Sequence, residues 1–401
     1  MAPETRSQRS GRYEPQAQGY RAFIPAPLPP NPPLDLTVGL TGLLAEAEQA
    51  VGRLDGSTQI LPSQKLFVAM YVRKEAVLSS QIEGTQSSLD DLLAAEARML
   101  RSRQPDDVGE VVNYVAALNH GIARLATLPV SVRLIRELHE RLLTGTRGSE
   151  RQPGHLRESQ NWIGAGGAPL SEAIFVPPPH HVVPEALGDL EGFIHEERDL
   201  PLLIRIGMAH AQFETIHPFL DGNGRVGRLL ITLLLCEQGA LQQPVLYLSH
   251  YLRQHRSDYY QALQAVREEG AWEDWVAFFL RAVQASAIDA TETARRIVDL
   301  RERHRDLLVV ELGRGAGTGL RLLEALYRRP LIDIPEAREL LGVTHQAANN
   351  LVTRLQAMSV LEEVTGQARH RVYRYSEYAD LFADGTADEA HTQAVLEYGG
   401  Q

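Results

Sequence analysis

Two apolar helical runs joined by a stretch that cannot be helical constrain this chain more than any other feature in it. LPLLIRIGMAHAQFETI places Leu202, Ile206, Ala209, Phe213 and Ile216 at helical spacing, and LLITLLLCEQG resumes an apolar run after HPFLDGNGRVGR, residues 217–228. Pro218 pushes the residue before it away from helix, so His217 is expected to be extended, to end the incoming helix and to hold its imidazole at the lip of a loop. Gly222 and Gly224 permit unusual dihedrals, which would let consecutive N–H groups converge just ahead of the next helix's positive end, as an anion cradle. Arg225 and Arg228 then stand in the opening turn of that helix, where the dipole opposes a cation. They are three apart and share a face, so a polyphosphate between them would resolve the conflict. Asp221 is close enough to hold a hard cation such as Mg²⁺, which binds through one or two carboxylates plus substrate phosphates.

Three familiar loops are excluded. GNGRVG fits the dinucleotide G-x-G-x-x-G pattern, but that mechanism needs a preceding strand, and the segment here is helical. Asp221–Gly222–Asn223 imitates the start of a calcium loop, yet Arg225 and Val226 occupy its fifth and sixth positions and Thr232 stands where a bidentate Glu belongs. The Gly-Lys-Ser/Thr of a P-loop is absent.

HPFLDGNGRVGR resembles the HPFx(D/E)GNGRxxR signature of the Fic family at every defined position. The resemblance implies a protein adenylyltransferase, transferring AMP from ATP to a Ser, Thr or Tyr hydroxyl of a target protein. His217 would deprotonate that hydroxyl, and Asp221 would hold Mg²⁺ at the α- and β-phosphates. Asn223, with the backbone of Gly222 and Gly224, would stabilise phosphate charge, with Arg225 nearby and Arg228 toward the γ-phosphate. Phe219 would anchor the loop in the core.

Upstream, VLSSQIEGTQSSLDDLL puts Glu83 at the end of a helical pattern, just before Gly84, where the dipole disfavours its charge and a cationic partner would remedy this. Ser79, Glu83 and Gly84 match the (S/T)xxxE(G/N) pattern of the family's inhibitory helix, which implies that Glu83 pairs with Arg228 and holds ATP unproductive. Some braked relatives also remove AMP through this Glu, so a bifunctional enzyme is an alternative. The bland reading makes Glu83 a surface residue and Ser88/Asp91 the capping box of the next helix. IFVPPPHH resembles the family's flap, with Ile174, Phe175 and Val176 offering an exposed edge to a target segment, and Asn161–Gly164 forming the other arm of a hairpin.

The rest of the chain frames this core. Its 401 residues, 44% apolar and 23% charged, are those of a folded multi-domain protein. A net charge of -11 argues against a chain-wide polyanion surface. No apolar run approaches the ~18 residues a membrane span needs, the first residues lack a secretory apolar region, and Cys236 has no partner for an internal disulfide, so a cytoplasmic address without a membrane partner is expected. The expected fold is mainly α: a Pro-rich tail or strap (1–35), a helical N-terminal region (36–129), a Fic helical core with a small β-hairpin flap (130–286), a connecting helix and linker (287–316), a winged helix–turn–helix (317–376) and a C-terminal tail (377–401). In the winged region Thr344, His345, Gln346, Asn349 and Asn350 open the third helix, and Arg369, Arg371 and Arg374 could meet phosphates. Eight Arg against six acidic residues over 317–375 is a feeble footprint, so DNA and protein partners both remain open there. The alternative function is a DNA-binding regulator whose Fic region senses nucleotide without transferring it. The resemblance also admits a homodimer.

Overall fold

The computed structural model describes residues 9–59, 64–97, 107–164, 169–196, 199–367 and 369–383, and of residues 64–67 the backbone alone. The chain divides into two compact units, the first comprising residues 1–64, 71–96 and 101–292, the second 65–70, 97–100 and 293–401.

The first unit opens with an antiparallel hairpin, β1 (Gly11–Pro15) and β2 (Arg21–Pro25). Helices follow in order: α1 (Val38–Gln59), α2 (Gln64–Ile82), α3 (Leu89–Ala97), α4 (Val108–Arg124), α5 (Val132–Leu143), α6 (Val183–Glu196), α7 (Leu202–Ile216), α8 (Asn223–Glu237), α9 (Ser249–Gln254), α10 (Arg256–Glu269) and α11 (Trp272–Leu312), of which residues 65–70, 97 and 293–312 are assigned to the second unit. Every residue of α7 from Leu203 to Ile216 is buried, as is every residue of α8 from Arg225 to Leu235. These two helices are therefore the centre of the unit, covered on all sides, and among their apolar residues they also bury polar ones, Arg205, His210, Gln212 and Glu214 on α7 and Arg225 and Arg228 on α8. The indole of Trp275 donates to the Gly207 carbonyl at 2.8 Å, tying the start of α11 to the middle of α7. On α2, Met70, Val77 and Leu78 are buried, while the side chain of Phe67 lies outside the described residues.

From Arg9 onward the segment before α1 packs on the rest of the first unit. Ala22 and Phe23 are buried, the Phe23 ring lies 5.9 Å from Phe175, and the buried Arg9 guanidinium donates to Glu273 and to the Pro32 and Pro33 carbonyls. The expected Pro-rich tail or strap thus carries a hairpin, β1 and β2, ahead of its most Pro-rich stretch. Ser88 caps α3 reciprocally with Asp91: the Ser88 N–H donates to the Asp91 carboxylate at 2.9 Å and the Asp91 N–H to Ser88 Oγ at 3.1 Å. Cys236 is half-buried, and burial pushes its thiol up to about 12.

In the second unit, α12 (Ala316–Arg328), β3 (Leu331–Asp333), α13 (Ile334–Leu341), α14 (His345–Ala357), β4 (Glu362–Glu363), β5 (Val372–Arg374) and α15 (Ser376–Asp380) assemble four helices and a three-stranded antiparallel sheet of order β3-β5-β4. Thr344 caps α14, accepting from the Ala347 N–H, and His345, Gln346 and Asn350 are exposed on its first turns. Arg369 and Arg371 are exposed, and Arg374 is paired with Asp380 at 2.7 Å. Among the described residues no helix is long and apolar enough to cross a membrane.

Candidate active site

The loop between α7 and α8 is built from its own side chains. His217 caps α7 with φ 49 and ψ 61, its N–H bonding back to the Phe213 carbonyl at 3.0 Å. The expected extended conformation is thus corrected to a left-handed one. Pro218 excludes only right-handed helix for its predecessor, and the left-handed turn is the solution that also satisfies an end carbonyl of α7. The Asn223 side chain accepts from the Phe219 N–H at 2.9 Å and donates to the Phe219 carbonyl at 2.8 Å. Asn223 is 2% exposed, and its amide braces the loop through Phe219. Phe219 is fully buried and stacked on His139, ring centroids 3.7 Å apart.

Gly222 takes φ 75, which a side chain would oppose. Gly224 is helical, contrary to expectation, and is needed for another reason: a Cβ there would stand 2.2 Å from Glu83 Oε1. The α8 ladder begins with the Val226 N–H bonded to Gly222 O at 3.0 Å, so the N–H groups of Asn223, Gly224 and Arg225 have no partner within the helix. They form the positive mouth of α8.

Both arginines have carboxylate partners from distant helices. Arg225 Nη1 lies 2.9 Å from Glu110 of α4, with side chains 2% and 3% exposed, and its Nη2 is 3.6 Å from Asp221. Arg228 donates through Nε to Ser79 Oγ at 2.8 Å and through Nη2 to the Ser79 carbonyl at 3.0 Å and to Glu83 Oε1 at 2.7 Å. The structure therefore brings Ser79, Glu83 and Arg228 together. Gly84 supplies the left-handed turn after α2, φ 95. Burial alone would raise the Glu83 carboxyl, but the Arg228 guanidinium outweighs it and holds it below the usual carboxylate range.

The His217 imidazole is held neutral, its pKa lowered to about 3 by burial first and then by the charges of Arg267 and Arg157, against a smaller upward pull from Glu83 and the Glu214 main chain. Its Nδ1 is buried without a well-formed hydrogen bond. Asp221 is 38% exposed, and its Oδ1 accepts from the Gly222 N–H at 2.6 Å. Among the described residues no group of three metal-binding side chains exists. One partly exposed carboxylate beside free N–H groups nevertheless fits an Mg²⁺ that arrives with phosphates.

The flap differs from expectation. A single bridge, Ile163 to Phe175, joins its two arms. Ile174 is 67% exposed, but Phe175 and Val176 are buried, and the Val176 carbonyl already accepts from the Phe23 N–H at 2.9 Å. The chain's own β2 occupies that part of the edge. Arg267 stands 4.0 Å over the Phe175 ring, a cation–π contact.

Residues 41–123 match the Fic/DOC family N-terminal region and residues 129–235 the Fic/DOC family itself. The chain thus carries a Fic/DOC N-terminal region followed by a Fic/DOC domain. It is 29% identical over 205 residues to a probable protein adenylyltransferase of Aquifex aeolicus (strain VF5), covering 51% of this chain and 58% of that protein. It is 28% identical over 198 residues to the protein adenylyltransferase Fic of Culex quinquefasciatus, covering 48% and 35%. The chain thus spans well under two thirds of these relatives' length. A solved Fic family protein from Desulfovibrio desulfuricans G20 shares the fold, with TM-score 0.57 and 22% identity over 85% of this chain and 97% of that one.

Within this Fic core, sequence reasoning missed three residues. Glu110 anchors Arg225 but sits in the first turn of α4, where an acidic residue is ordinary and carries no signal. His139 accepts from the Gly154 N–H on Nδ1 at 2.8 Å, so its Nε2–H donates to the Asp221 carbonyl at 3.1 Å. Burial lowers its pKa to about 4, and it supports the loop as a neutral ring. Arg157 grips the same loop from the other side.

Proposed function

We propose that this protein transfers AMP from ATP to a Ser, Thr or Tyr hydroxyl of a target protein, with Glu83 as a built-in brake. The observation that carries the reading is the conjunction at the α7–α8 loop of a neutral imidazole, unpartnered α8 N–H groups and two buried guanidinium groups. The two family matches and the relatives' names support the same chemistry.

In the proposed step, the imidazole of His217 takes the proton of the target hydroxyl as the hydroxyl's oxygen bonds to the α-phosphorus. The bond from that phosphorus to the bridging oxygen breaks, and pyrophosphate leaves with the electron pair. The N–H groups of Asn223, Gly224 and Arg225 stabilise the developing phosphate charge, a task they perform without reorganising. Asp221 is the residue that would hold Mg²⁺, which when bound neutralises charge on the phosphates. Arg228 is the natural partner of the γ-phosphate, and Glu83 Oε1, at 2.7 Å, stands in for that anion in the resting chain. The brake is competition for one guanidinium.

Incubation with α-labelled ATP and Mg²⁺ tests the reading. The Glu83→Gly form should label target protein or itself, and Glu83→Gly combined with His217→Ala should not. Equal labelling with and without His217 would overturn it.

A further inference from the structure

One buried cation in the first unit has no part in the step just described, yet it touches the main chain of the base. Arg157 is 2% exposed. Its Nε donates to the His217 carbonyl at 2.9 Å, its Nη1 to Ser159 O at 3.2 Å, and its Nη2 to Pro178 O and to Ile216 O at 3.4 Å. Its own N–H donates to Pro218 O at 2.9 Å. Asn161 adds a weaker hold, donating to His217 O at 3.3 Å and Phe219 O at 2.8 Å. A guanidinium is a rigid fork of donors with no acceptor, and here it gathers carbonyls from two separate segments, the end of α7 and the chain just after the flap strand. It also places a cation at the negative end of α7.

We propose that Arg157 is the positioning residue of the transfer reaction: by gripping the carbonyls of Ile216, His217 and Pro178 together, it fixes the left-handed turn that aims the imidazole and locks that turn to the base of the flap. The proposal rests on the AMP-transfer reading, but Arg157 touches neither nucleotide nor acceptor. The left-handed His217 is a conformation that a non-glycine residue holds only when its surroundings enforce it, and the three carbonyl contacts are that enforcement. The charge of Arg157 also faces the imidazole, together with Arg267 of α10, Glu83 and the Glu214 carbonyl.

Two substitutions separate geometry from charge, each made in the Glu83→Gly protein and read as a pH profile of labelling at saturating and limiting ATP. Arg157→Lys keeps the cation and loses the fork: labelling at saturating ATP should fall about 10- to 100-fold, with KM for ATP changed less than about 3-fold and the acid limb unmoved. Arg157→Gln loses both, and its acid limb should move up by about one pH unit, because a like charge no longer opposes protonation. Rates within twofold of the parent in both variants, or a loss confined to KM, would overturn the proposal. Should the Arg157 variants fail to fold, Asn161→Ala decides, with a smaller fall in rate at unchanged KM expected and no fall overturning. If the parent transfers no label, the enzymatic reading fails separately, and NMR titration of the His217 ring still decides: the Arg157→Gln ring should titrate higher, and an unmoved titration sinks the inference.

Discussion

Replacing Glu83 by glycine takes one carboxylate from a guanidinium that is only 1% exposed, while Glu83 itself is 33% exposed. Removing one partner of a fully buried ion pair costs about 3–5 kcal/mol, whereas an exposed pair returns about 0–1 kcal/mol. Arg228 keeps two neutral acceptors after the change, Ser79 Oγ at 2.8 Å and Ser79 O at 3.0 Å. The loss should therefore fall between those limits, at roughly 1.5–2.5 kcal/mol. For a unit of this size that lowers the melting temperature by roughly 4–8 °C. The same free energy sets how strongly Glu83 competes with a γ-phosphate: about 2 kcal/mol is roughly a 30-fold bias, so labelling by α-labelled ATP should increase on the order of 10- to 30-fold. The two readouts are linked. Saturating ATP should recover more of the melting temperature in the variant than in the wild type, because a phosphate replaces the lost carboxylate. If the variant melts with the wild type, labels no faster and gains nothing extra from ATP, the Glu83–Arg228 contact is an idle surface pair and the brake is wrong.

Two further outcomes follow from buried charge. Three imidazoles, His139, His210 and His217, are depressed to about 4, 3 and 3, chiefly by burial, so their contribution is full above the unfolded value near 6.5 and is lost as pH falls toward 3–4. Glu75 and Glu214 are pushed by burial up to about 7 and favour the folded state at acid pH. With His304 also lowered and Glu336 also raised by burial, four imidazoles stand against three carboxyls. Between pH 6.5 and 4.5 unfolding therefore takes up about one proton net, so the unfolding free energy and the urea midpoint should fall on acidification, the former by about 1.4 kcal/mol per pH unit and more steeply below 4.5. Midpoints flat or rising toward pH 4.5 would contradict this. Glu110→Gln should cost about 3 kcal/mol, since it leaves Arg225 a buried cation facing a neutral amide, and an unchanged melting temperature would remove Glu110 as its anchor.

What the sequence made legible was local. Pro218 and the glycines marked where α7 ends and α8 begins, and the apolar runs on either side marked the helices that became the buried centre. The left-handed turn of His217 was not legible, because a following proline says which region is closed and not which of the others is chosen. Partners across the chain were harder. Glu83 could be paired with Arg228 only through the resemblance, although the two lie 145 residues apart. Glu110 and Arg157 had no comparable signal: one imitates an ordinary helix start, the other lies in a Gly- and Pro-bearing connection whose side chains look solvated until the fold closes over them. The flap edge was misjudged for the same reason, since nothing local to IFVPPP says that β2 lies against it.

The two arginines at the unfavourable end of α8 now separate by the quality of their partners. Arg225 is neutralised by a carboxylate 3% exposed, which Arg147 also approaches at 3.2 Å, so exchanging it for a ligand would strand Glu110 without solvent. Arg228 is neutralised by a carboxylate one-third exposed, so Glu83, once displaced by a competing anion, can reach water, which Glu110 cannot. A phosphate competing for the mouth of α8 therefore meets one fixed cation and one exchangeable one. Arg225 holds the architecture of the loop, and Arg228 is where occupancy can be switched. This asymmetry is why the proposed brake acts on the second arginine and not the first.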